Sequence, residues 1–67
     1  MKITLNNRPD SFDQNELTIA EILKIKKYSF KLMVIKINGR LIKKTDYQNA
    51  KVVDGDDLQV IHMISGG

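Results

Sequence analysis

The stretch "LQVIHMI", Leu58 to Ile64, decides how this chain is read. Apart from Gln59 and His62 it is apolar on both alternating faces. A strand of that kind belongs inside a sheet, with neighbours on both edges and a helix covering one face. It lies at the end of the chain, so the segments before it must supply those neighbours. It is followed by Ser65, Gly66 and Gly67, which add nothing to a core.

Working back toward the start, "DGDD" (Asp54 to Asp57) is a tight turn. "TDYQNAK" offers Thr45 or Asp46 as the cap of one short helical turn ending near Asn49 or Ala50. "KLMVIKINGRLIK" is a hairpin, because Asn38-Gly39 tolerates the left-handed conformation of a type I′ turn between two apolar runs. Within it, Leu32 to Ile37 is apolar on both faces except at Lys36 and reads as an inner strand. "LTIAEI" carries a capping box, Thr18 with Glu21, flanked by Leu17 and Ile22 at the positions of a hydrophobic staple. Ile19, Ile22 and Leu23 then repeat at helical spacing, and Tyr28 and Ser29 mark the predicted helix end. At the start, "KITLNN" alternates as a half-buried strand with Ile3 and Leu5 inward, "NNRPD" turns, and Ser11 to Asp13 returns as a second short strand.

The order is strand, strand, helix, strand, strand, short turn, strand. With the last strand in the middle, parallel to the first, the predicted fold class is α+β: a β-grasp domain with a mixed sheet of four to five strands crossed by one main helix. Residues 1–67 read as a single domain whose residues 65–67 form a flexible tail.

Composition narrows the function. Sixty-seven residues at 42% apolar content support one small core, and such a domain buries only about 60% of its unfolded surface. There is no cysteine and one histidine, His62, which leaves no disulfide framework, no thiolate nucleophile and no cysteine metal site. A reducing cytoplasm fits this usage. No apolar run approaches the roughly 20 residues of a membrane span. Eleven basic residues against eight acidic give a net charge of +3. Lys24, Lys26, Lys27 and Lys31 crowd one segment, as either a solvated face or the footprint of an acidic partner.

No G-x-S-x-G, H-E-x-x-H or phosphate-loop motif is present. The carboxylates lie in turns or at helix starts, where turn formation and capping account for them. "DGDD" lacks the later glycine and glutamate of a calcium loop. His62 reads as a sheet residue, and Tyr28, Phe30 and Tyr47 as packing residues rather than stacking platforms for bases. What remains is the α-carboxylate of Gly67. Activated by a nucleotide triphosphate as an acyl-adenylate, it becomes open to a sulfur or nitrogen nucleophile. Gly66 and Gly67 lack a Cβ and so fit a narrow channel, and three extended residues reach about 10 Å.

The whole chain resembles the sulfur-carrier protein family of thiamine biosynthesis, the ThiS family, a ubiquitin-like β-grasp family. The resemblance rests on "MKITLNN", "TIAEIL", "VIKINGRLIKKTDY" and above all "VVDGDDLQVIHMISGG". It implies that Gly67 is adenylated by an E1-like, ATP-dependent enzyme and converted to a thiocarboxylate, with sulfur drawn from cysteine through a desulfurase. Ser65 and Gly66 would thread into that enzyme and into thiazole synthase, which takes the sulfur for the thiazole ring. The protein itself would be a cosubstrate, not an enzyme, monomeric when free, with no bound cofactor, no metal and no nucleic-acid or membrane partner. By analogy with the fold, the exposed sheet face and the base of the tail, Met63 and Ile64, make the docking contact. Alternatives of related chemistry are the small subunit of molybdopterin synthase and a ubiquitin-like modifier that acylates lysine. A β-grasp RNA-binding module using Lys24 to Lys31 would not need the tail.

Overall fold

A computed structural model of the chain describes residues 1–29 and 32–63. Its strands are β1 (Lys2–Leu5), β2 (Arg8–Ser11), β3 (Glu16–Thr18), β4 (Met33–Ile37), β5 (Arg40–Ile42), β6 (Lys51–Val53) and β7 (Asp57–His62). One α-helix, α1 (Ile19–Ile25), follows β3, and a 3₁₀ turn at Lys44–Asp46 follows β5. Five strands form the main sheet in the order β2-β1-β7-β4-β5. As its sequence pattern predicts, β7 is the central strand. It runs parallel to β1, with Thr4 opposite Asp57 and Leu5 opposite Leu58. Against β4 it is antiparallel, from Ile37–Leu58 to Met33–His62. A mixed five-stranded sheet with one α-helix is a ubiquitin-like β-grasp fold.

Alternation along each strand sends Ile3, Leu5, Ile35, Ile37, Ile42, Leu58 and Val60 into one core, which Ile19 and Ile22 of α1 close from the other side. Ile19, Ile35 and Leu58 are fully buried at its centre. The helix starts where the capping box predicts. Thr18 is extended, its Oγ1 accepts the Glu21 N–H at 3.2 Å, and Glu21 Oε1 accepts the Thr18 N–H at 2.9 Å. Leu17 and Ile22, the staple pair, are both buried.

Four local readings need correction. The second strand is Arg8–Ser11, not Ser11 to Asp13. Asn6 and Asn7 both adopt the left-handed conformation (φ 51° and 67°), so two residues suffice to reverse the chain and Leu5 pairs directly with Arg8. Pro9 then falls inside a strand, which is tolerated because β2 lies at the sheet edge. Second, α1 stops at Ile25, short of Tyr28. Lys27 turns left-handed at φ 59°, while the Tyr28 N–H bonds the Leu23 carbonyl at 2.8 Å and the Lys27 N–H bonds that of Lys24 at 3.2 Å. These are the two bonds of a Schellman cap, formed without its customary glycine. Third, the short helical turn begins at Lys44 behind an extended Lys43, so neither Thr45 nor Asp46 caps it. Backbone bonds from Asn49 and Ala50 to the Asp46 carbonyl carry it to the predicted end. Fourth, β3 and β6 form a separate antiparallel ribbon, Glu16–Val53 to Thr18–Lys51, of three residues per strand. Strands that short show no periodicity of their own.

Candidate functional site

The side of the sheet turned away from α1 is open. Gln59 and Ile61 of β7 point to it, with Val34 directly opposite Ile61, and Lys36 lies between Gln59 and Leu41. Beyond β7, Met63 donates its N–H to the Leu32 carbonyl at 2.9 Å, and the pair prolongs the same row. Leu41 is 59% exposed, Leu32 50%, Met63 47% and Ile61 41%, so this face leaves four large apolar side chains open. A groove of about 440 Å³ adjoins it, bounded by Leu32, Val34, Leu41 and Tyr47, with Lys43 and Lys44 at its rim. The apolar area therefore lies where β7 ends and the sequence runs on toward Gly67.

Of the predicted site residues, Met63 is placed in this row. Ile64, Ser65, Gly66 and Gly67 lie outside the described residues. Sequence reading missed Leu32, Val34 and Leu41 as companions of Met63. Their apolar character was visible, but only strand register puts residues so distant in sequence beside one another.

The polar groups have structural work. Asp10 accepts a bond from Lys26 Nζ at 2.8 Å, and this bond lowers the Asp10 pKa below its ordinary value while raising that of Lys26. The Glu21 carboxylate is held below its ordinary pKa first by the Thr18 N–H and then by the Thr18 hydroxyl. Asp54 accepts the Lys2 N–H at 2.6 Å, and Asp56 accepts the Val53 N–H at 2.9 Å within the "DGDD" turn. Glu16 pairs with Lys51 across the small ribbon at 3.3 Å. His62 is an exposed residue of β7, and Tyr28 and Tyr47 pack against the core; Phe30 lies outside the described residues. Lys24 and Lys27 are exposed and Lys26 is engaged with Asp10; Lys31 lies outside the described residues. Among the described residues no group of three His, Asp or Glu side chains could hold a metal ion, and no helix is long and apolar enough to cross a membrane.

A mixed five-stranded sheet with its last strand at the centre, together with one α-helix, defines a class, the ubiquitin-like β-grasp proteins. Within that class, the family model described as the ThiS family matches residues 3–67, and the chain belongs to this family. Its fold is shared with a crystal structure of a thiamine biosynthesis protein (ThiS) from Geobacter metallireducens, at a TM-score of 0.89 and 25% identity over 100% of both chains. A solution NMR structure of a thiamine biosynthesis protein from the same organism gives a TM-score of 0.81 and 25% identity, covering 100% of this chain and 88% of that one. No curated protein matches the sequence.

Proposed function

We propose that this protein is a sulfur carrier of thiamine biosynthesis, a cosubstrate that other enzymes charge and discharge, and not itself an enzyme. The observation that carries the reading is the family match, which extends over residues 3–67 and so includes the Gly66-Gly67 end. In the proposed cycle an E1-like partner uses ATP. A Gly67 carboxylate oxygen attacks the α-phosphorus, pyrophosphate leaves, and an acyl-adenylate results. A persulfide sulfur, supplied from cysteine through a desulfurase, then displaces AMP to give an acyl disulfide on Gly67, and a thiol reduces its S–S bond to leave the thiocarboxylate while the thiol is oxidised to a disulfide. Thiazole synthase takes that sulfur for the thiazole ring, and an oxygen from the sulfur acceptor or from water takes its place to restore the carboxylate.

The chain's own share is delivery. Ser65 and Gly66 pass through the partner's channel, and the apolar row of Leu41, Val34, Ile61, Leu32 and Met63 docks the sheet against the partner, with Ile64, next in sequence, proposed as a further contact. An apolar surface beside the end of β7 supports this, because burying it holds the carrier close to where the sequence runs on to Gly67. The carrier is monomeric between encounters, works in the cytoplasm and holds no cofactor of its own; ATP belongs to the partner. The family match favours thiazole over the molybdopterin alternative.

Intact-protein mass spectrometry tests the proposal. The chain is incubated with ATP, a cognate adenylating enzyme, a desulfurase and cysteine, beside a chain lacking Gly67. The expected result is a mass gain equal to one oxygen replaced by sulfur, confined to the full chain. An unchanged mass, with the same enzymes charging a known carrier, would overturn it.

A further inference from the structure

We propose that the side-chain amide of Asn6 is the positioning group for the C-terminal arm, fixing the direction in which β7 delivers it; the inference rests on the carrier reading for its function but not for its geometry. In a parallel pair, successive N–H and C=O groups of the two strands bond alternately along the ladder. Here the Thr4 N–H bonds the Asp56 carbonyl and the Asn6 N–H bonds that of Leu58, both at 3.0 Å. Continuing the ladder would require the carbonyl of residue 6 for the Val60 N–H and the N–H of residue 8 for the Val60 carbonyl. Neither is available, because the chain reverses at Asn6-Asn7 and residue 8 belongs to β2. The Asn6 side chain replaces both. Its Oδ1 accepts the Val60 N–H at 2.8 Å and its Nδ2 donates to the Val60 carbonyl at 3.2 Å.

The sheet thus continues one residue past the end of β1. Past Leu58, β7 would otherwise be bonded along β4 alone, as the edge of the β7-β4-β5 part of the sheet, with the Val60 N–H and carbonyl on its other side left without a strand to hold them. Loss of that second tether frees the end of β7, from which the sequence runs on to Gly67, to change its direction. A small misplacement of a reacting carbonyl suffices to slow a step that depends on alignment.

Asn38 supplies a matched control. It also occupies the first position of a two-residue left-handed turn, at φ 52°, and its amide also makes two bonds: Oδ1 accepts the Asp57 N–H at 2.8 Å and Nδ2 donates to Asp56 Oδ1 at 3.0 Å. Those bonds lie at the opposite end of β7 from the arm. Glycine tolerates both backbone conformations, so Asn6→Gly and Asn38→Gly each remove an amide and leave a turn.

The experiment measures amide hydrogen exchange and the kinetics of thiocarboxylate formation for the unaltered chain and both variants, well below each melting temperature. For Asn6→Gly, exchange at Val60 should rise by about fivefold or more, the loss of one ordinary hydrogen bond. Its kcat for charging should fall by about threefold or more with KM within about twofold, whereas Asn38→Gly should retain kcat. Equal kcat for the two variants would mean that the amide only stabilises the fold and would overturn the positioning role, as would undiminished protection of Val60 in Asn6→Gly. If active enzymes fail to charge the unaltered chain, the carrier reading falls. The exchange comparison then decides alone: lost protection at Val60 sustains the anchor and retained protection overturns it.

Discussion

Replacing Thr18 by alanine removes one half of the capping box and tests whether the start of α1 is held as described. The Thr18 hydroxyl accepts the Glu21 N–H and donates to Glu21 Oε1 at 3.1 Å, while the backbone bond from the Thr18 N–H to Glu21 survives the substitution. Removal of an N-cap hydroxyl costs about 1 kcal/mol. Unfolding entropy of about 2.1 cal/mol/K per residue gives about 0.14 kcal/mol/K for a chain of this length, so the melting temperature should fall by about 7 °C. Thermal unfolding followed by circular dichroism at pH 7 measures this directly. A fall of less than about 2 °C would refute the reasoning, because it would mean that packing of Leu17, Ile19 and Ile22 fixes the helix start unaided. Acid titration supplies a second arm. The folded-state pKa of Glu21 is lowered, so its contribution is complete above the ordinary glutamate value of 4.5 and is lost as pH falls through the folded value. Glu21→Gln keeps an acceptor oxygen but does not titrate. Its deficit relative to the unaltered chain should be largest near neutrality and shrink toward pH 3; a deficit independent of pH would contradict the assigned cause of the shift.

Leu41→Asp puts a charge into the open apolar row at a site that is 59% exposed, so the fold should be stable to within about 0.5 kcal/mol. If that row docks the adenylating enzyme, KM for charging should rise by about tenfold or more in steady-state assays. Reversing charge at Lys24 and Lys27 together should leave charging within about twofold; a loss beyond about tenfold with the melting temperature unchanged would move the docking surface to the helix side. Lowering pH below the carboxylate range should also release Asp10 from Lys26, since the lowered Asp10 pKa makes that bond a contribution present above its ordinary value and lost below its folded one. Asp10→Asn should narrow the acid sensitivity of unfolding, and the same pH dependence in both proteins would argue against the pairing.

Much of the fold is legible where one strong local rule acts alone. Thr18 and Glu21 announce a capping box whatever surrounds them, and Asn38-Gly39 announces a two-residue hairpin. At Asn6-Asn7 the signal was present but spread over five residues, because the following Arg-Pro-Asp is also turn chemistry. Only the pairing of Leu5 with Arg8 locates the reversal. The helix end was misplaced because a left-handed cap is expected at glycine and here falls on Lys27. For the candidate site the Gly-Gly end stands out in the sequence, whereas Met63 follows only from analogy with the fold. Asn6 did not, because an asparagine in a turn already has a sufficient local explanation.

The sequence by itself determined the helix, the central hairpin and the central place of the last strand, since each follows from side-chain period, backbone preference or burial within a short window. It also determined the inventory of chemistry, with no cysteine, one histidine and a terminal glycine pair. The tertiary structure alone decided the juxtapositions. The β3–β6 ribbon joins segments some 35 residues apart, the open row gathers Leu32, Leu41 and Met63, and the Asn6 amide meets Val60 across 54 positions of chain. The physical reason is that register between distant strands is chosen by the whole buried face at once, so no local stretch contains enough information to fix which residues it will touch.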